Sequence, residues 1–84
     1  MTTHTIHLNG TSRDELVRQY LSAYRAFDTF AEELADATIH PRDFYPQGEN
    51  AYAQAVAERK IVLEHLNAVQ TYLAAHLENL TSAH

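Results

Sequence analysis

Ile39-His40-Pro41-Arg42-Asp43-Phe44-Tyr45-Pro46-Gln47-Gly48 separates two long amphipathic patterns, and its two prolines forbid one continuous helix through them. Proline lacks the amide that a helix interior needs, and it disfavours the α region for the residue before it. The chain must therefore turn here, so the flanking patterns predict an antiparallel helical hairpin with a connecting loop over 39–48. A plain connection in a bundle needs only about two to eight residues, mostly small and polar. This one carries a guanidinium at Arg42, aromatic faces at Phe44 and Tyr45, and an amide at Gln47. Those groups suit a ligand: Arg42 forks onto phosphate or carboxylate, a ring stacks on a base, and Gln47 with the Gly48 amide completes the hydrogen bonds. The alternative is structural, with Arg42 paired to Asp43 and the aromatics plugging the bundle end.

Upstream of the loop, Leu16, Tyr20, Ala23, Phe27, Phe30, Leu34 and Ala37 recur at alternating spacings of four and three, with Val17, Tyr24 and Ala31 widening the stripe. This predicts a helix over 12–38 with an opposite face rich in Arg, Asp and Glu. Ser12 followed by Glu15 has the form of a capping box. Downstream, Tyr52, Ala55, Arg59, Val62, Leu66, Val69, Leu73, His76 and Leu80 form a second seam, predicting a helix over 49–80 and a tail over 81–84. Seams of this kind on both helices predict lengthwise packing near +20°.

At the N-terminus, Thr3 to Leu8 alternates with period two and is rich in β-branched residues, the pattern of a short strand over 3–8. No second strand pattern exists in the chain, so this strand either frays or pairs with its counterpart in another copy. A two-helix hairpin of 84 residues without cysteine has neither disulfides nor thiolate metal sites to staple it. The expected fold is therefore all-α: a single-domain hairpin with a short N-terminal strand, assembled into a homo-oligomeric helical bundle of two or more chains.

Charge narrows the partners. Eleven acidic residues face six basic ones, and the only basic cluster is Arg59-Lys60. A chain with net charge −5 lacks the basic stripe that neutralises phosphates along a nucleic-acid polymer. It equally lacks the cationic face of a membrane-surface helix. No apolar run approaches the length of a bilayer span, and Met1–His7 lacks the features of a signal peptide. The expected location is cytoplasmic.

Three further places carry residues suited to a ligand. Asn9 and Thr11, with Ser12 and Arg13, stand at the start of the first helix, where amide groups favour anions; Ser-x-x-Glu alone explains the pattern as a plain cap. Arg59 interrupts the second seam, where a charge needs a partner or a ligand, or else its stem snorkels and it pairs with Glu58 or with acids of the first helix. His76 interrupts the same seam and reads more simply as a core histidine. The six histidines show no metal-ligand spacing, and no nucleophile elbow or Gly-rich phosphate loop is present. No catalytic residues, metal or cofactor are expected.

Asn9-Gly10-Thr11-Ser12, Gln19-Tyr20, Pro41-Arg42-Asp43-Phe44-Tyr45-Pro46-Gln47-Gly48 and Ala57-Glu58-Arg59 together resemble a family of small bacteriophage and prophage proteins. The resemblance spans nearly the whole chain, and the loop is its most specific part. That family usually has Arg-Asp-Tyr-Tyr where this chain has Arg-Asp-Phe-Tyr, and it carries no assigned chemistry. Similarity of size and setting extends to phage sponges, small oligomers that sequester nucleotide immune signals such as cyclic dinucleotides and cyclic ADP-ribose isomers. Together with that analogy, the leading expectation is a non-catalytic protein of the infected host's cytoplasm that binds a small phosphate-bearing nucleotide, with the residues singled out above, Arg42, Phe44, Tyr45, Gln47, Asn9, Thr11 and Arg59, as ligand residues. The alternative partner is a host defence enzyme, blocked by a helical adaptor.

Overall fold

The computed structural model describes residues 2–6 and 10–82. It consists of two α-helices, α1 (Arg13–Asp36) and α2 (Ala51–Thr81), joined by two short 3₁₀ turns at Pro41–Asp43 and Tyr45–Gln47. The helices pack along their lengths as an antiparallel hairpin measuring 60 × 21 × 20 Å. Both helices cover their seams, but α2 starts at Ala51 rather than 49, because Gly48 to Asn50 complete the turn, and runs through Thr81 of the expected tail. No helix of the described residues is long and apolar enough to cross a membrane.

At the start of α1, the Ser12 hydroxyl accepts the Glu15 amide at 3.2 Å. Contrary to the capping-box pattern, the Glu15 carboxylate does not return the bond to the Ser12 amide. It takes hydrogen bonds from Arg18 and Gln19 instead. The Arg18 guanidinium and, beside it, the Gln19 amide hold the Glu15 carboxyl below its usual range. α1 stops at Asp36, two residues before the predicted end. Ala37 turns extended and closes the last turn with its amide on the Glu33 and Leu34 carbonyls. The β-branched Thr38 and Ile39 follow, and Pro41 keeps His40 out of helix.

Among the described residues, those buried are Leu16, Leu73, His76 and Leu80. All four lie in the half of the hairpin near the chain termini, so the core is short and eccentric. Over this end lies the N-terminal segment. Residues 2–6 form no strand, contrary to the alternation of Thr3–Leu8, of which His7 and Leu8 fall outside the described residues. The reason is that no second strand in the described chain offers backbone groups to pair with. His4 is held by a side chain: its Nε2 lies 2.7 Å from the Tyr20 hydroxyl.

Candidate functional site

The connection between the helices is built from local hydrogen bonds. His40 caps the first 3₁₀ turn, its Nδ1 accepting the Arg42 amide at 3.1 Å. Pro41 opens that turn, and its carbonyl accepts the Phe44 amide at 3.1 Å. The second turn is closed by the Gln47 amide on the Phe44 carbonyl and the Gly48 amide on that of Tyr45. Gly48 then reverses the chain at φ 113° and ψ 170°, a conformation essentially reserved for glycine. Asn50 leads into α2 without a side-chain cap. The predicted loop is therefore structured almost throughout.

This backbone places Pro41, Phe44, Tyr45, Gly48, Glu49 and Tyr52 around an open cleft of about 630 Å³. Phe44 is half-buried, with its ring 6.4 Å from that of Tyr52 and tilted by 57°. Tyr45 is 69% exposed. Three aromatic faces and one carboxylate make a site for a planar group, with Glu49 able to accept from a donor edge. The volume falls within the range of ordinary small-molecule sites, roughly 300–1,000 Å³.

Of the residues expected to bind ligand, Phe44 and Tyr45 meet in this cleft. Arg42 and Gln47 stand exposed on the two turns, outside the lining. Arg42 makes no ion pair with Asp43; the one ion pair among the described residues joins Arg18 to Glu15. Thr11 lies at the opposite end of the hairpin, before the start of α1. Asn9 falls outside the described residues.

Arg59 has different work. Its Nη1 donates to the carbonyls of Leu34 and Ala37, both at 3.1 Å. The Ala37 carbonyl is one that the end of α1 leaves without a helical partner, the Leu34 carbonyl already takes the Ala37 amide, and that last turn carries no basic residue of its own. Arg59 supplies the missing cation from α2, where a positive charge is favoured by the helix dipole. The partners anticipated from sequence, Glu58 or acids of α1, give way to the backbone because that is where the negative end of α1 points.

Two features were not legible as site residues. Glu49 and Tyr52 complete the cleft because the positive φ of Gly48 folds the start of α2 back toward Phe44. The second is a ring cluster at the other end. His76 is 2% exposed and neither ring nitrogen has a hydrogen-bond partner. It stacks on Tyr20 at 5.0 Å and 11°, packs at 4.4 Å from Tyr72, and meets His4 edge-on at 5.4 Å. Burial first, and the adjacent Tyr72 hydroxyl second, raise the Tyr20 phenol above its ordinary value. No group of three or more His, Cys, Asp or Glu among the described residues could hold a metal ion.

Comparison with protein-family models, curated proteins and solved structures returned no match.

Proposed function

We infer that the chain is a non-catalytic binding protein that captures a small planar ligand in the loop-end cleft. The observation that carries this reading is the convergence of Phe44, Tyr45 and Tyr52 on one side of a structured connection. Stacking of a base on such rings contributes about 1–3 kcal/mol, and short hydrogen-bonded turns keep the ordering cost of binding low. Glu49 would accept from the amino or imino edge of a base. A phosphate cannot sit beside that carboxylate without repulsion, so it belongs at the rim, with Arg42 and Gln47. A phosphate-bearing nucleotide satisfies both halves. With the resemblance to phage proteins, the reading becomes sequestration of a nucleotide immune signal in the cytoplasm of an infected bacterium. Arg59 is left out of this site, since its guanidinium is engaged with the end of α1.

The test is calorimetric titration with cyclic dinucleotides and cyclic ADP-ribose isomers, on the parent chain and on Phe44→Ala and Arg42→Ala. Saturable heat is expected, weakened about tenfold or more by Phe44→Ala and reduced by Arg42→Ala only for phosphate-bearing ligands. An absence of heat with every member would sink the nucleotide reading. The second reading, an adaptor that blocks a host defence enzyme, is favoured by the large apolar side chains that α2 exposes at Val56, Ile61 and Leu63. It predicts loss of host-enzyme inhibition in Ile61→Glu with ligand binding intact.

A further inference from the structure

The seam between the helices is covered unevenly. At the terminal end, His4 and its neighbours lie over Tyr20 and His76. Toward the loop, no stretch of the described N-terminal residues covers the seam in this way. Asp28 of α1 and Leu66 of α2 line a common groove and so stand level with each other. Among the residues from 28 to 66, which make up the loop half, none is buried. Val62 and Val69 occupy seam positions seven residues apart, yet remain 42% and 44% exposed. Phe30 is 51% exposed and Tyr72 43%.

These residues share one side of the hairpin. Asp28 and Asn67 line the groove on one side of the seam. Phe30 and Val69 each come two residues later, about 200° further round their helices, and therefore both lie on the other side. Val62 and Tyr72, at helical spacing from Val69, continue that stripe.

We propose that a second copy of this chain covers the stripe, the two hairpins packing antiparallel about a two-fold axis with Phe30, Val62, Val69 and Tyr72 at the contact. Two quantities select this occupant. A folded monomer of this mass exposes about 5,000 Å², whereas the chain exposes 6582 Å². The excess of about 1,500 Å² is nearly twice the roughly 800 Å² that each partner contributes to a standard interface. Charge selects the orientation. The loop half, residues 28–66, holds eight acids and three bases, while the remaining residues hold three of each. Parallel hairpins would set the two acidic halves together. Antiparallel hairpins set each acidic half against the half bearing Arg13, Arg18 and Arg25. A two-fold contact of this kind is self-complementary and closes on itself.

Sedimentation equilibrium tests the contact and pulsed electron paramagnetic resonance tests the orientation. The parent chain should sediment at twice its 9.5 kDa mass. The Phe30→Glu/Val69→Glu double variant should sediment at the single-chain mass at micromolar concentration. Because that variant could also lose its fold, the second measurement leaves the stripe intact. The chain has no cysteine, so Gln47→Cys carries one nitroxide per chain, on the exposed loop. Antiparallel packing predicts an inter-label distance approaching the 60 Å length of the hairpin, and parallel packing one near its 20 Å width. A single-chain mass for the parent at 100 μM, an undisturbed dimer in the folded double variant, or a short label distance would each overturn the proposal. None of these readouts involves a ligand, so they stand or fall apart from the nucleotide reading.

Discussion

Replacing Arg59 by methionine separates the bond it makes from the surface it covers. Methionine keeps an apolar stem along the groove that Arg59 lines with Ala55 and Val62, and removes only the guanidinium. Two hydrogen bonds are lost, to the Leu34 and Ala37 carbonyls. The Ala37 bond is exposed, and water replaces much of it. The Leu34 bond is partly buried, and a charged hydrogen bond of this kind contributes about 1.5–3 kcal/mol. Loss of the cation at the negative end of α1 adds about 0.3–1 kcal/mol. The expected destabilisation is thus about 2–4 kcal/mol. For a domain this size it lowers Tm by roughly 10–30 °C, given about 4–8 °C per kcal/mol. Urea unfolding followed by helical circular dichroism at fixed chain concentration measures it, concentration being held because association shifts apparent stability. Arg59→Lys should recover the dipole part and little of the rest. If Arg59→Met stays within about 0.5 kcal/mol of the parent, the capping argument fails and the guanidinium is again available to a ligand.

Three other outcomes follow from single observations. His76→Phe removes two buried ring nitrogens that have no partner while keeping a flat ring against Tyr20 and Tyr72; since an unsatisfied buried polar group costs about 1–3 kcal/mol, thermal unfolding should show equal or raised stability, and a loss above 1 kcal/mol would mean that those nitrogens are engaged. Gly48→Ala meets no neighbouring atom within 4 Å but must adopt φ 113°, so chemical denaturation should show a cost of about 1–3 kcal/mol from backbone strain alone. Tyr20, whose phenol is raised above the usual tyrosine value by burial and by Tyr72, contributes stability that is fully present below about pH 10 and is lost as pH rises through its folded value. Absorbance titration at high pH should find a late-ionising phenol that disappears in Tyr20→Phe, and the alkaline decline in stability should flatten with it; an unchanged titration in the variant would refute the assignment.

The helices were legible because their signal is local. Spacings of three and four along Leu16–Leu34 and Tyr52–Leu80 hold whatever lies opposite, and Pro41 and Pro46 break helix through their own covalent geometry. The turn at Ile39–Gly48 and the aromatic character of its cleft followed from residue types alone. What could not be read from neighbours in sequence is whatever depends on long-range pairing. Thr3–Leu8 has the alternation of a strand, but a strand is a relation between two segments, and in the described residues 3–6 the single chain supplies no second one. Arg59 looked like a charge in need of an acid; its partners are carbonyls 22 and 25 residues upstream, brought there only when α2 folds back along α1. Glu49 and Tyr52 join the cleft through a shorter-range effect, the reversal at Gly48. The sequence by itself determined the two helices and where the chain must turn, since periodicity and proline sterics act within a few residues. Tertiary structure alone decided which polar groups face one another and which part of the seam is covered, because burial is set by the element packed opposite.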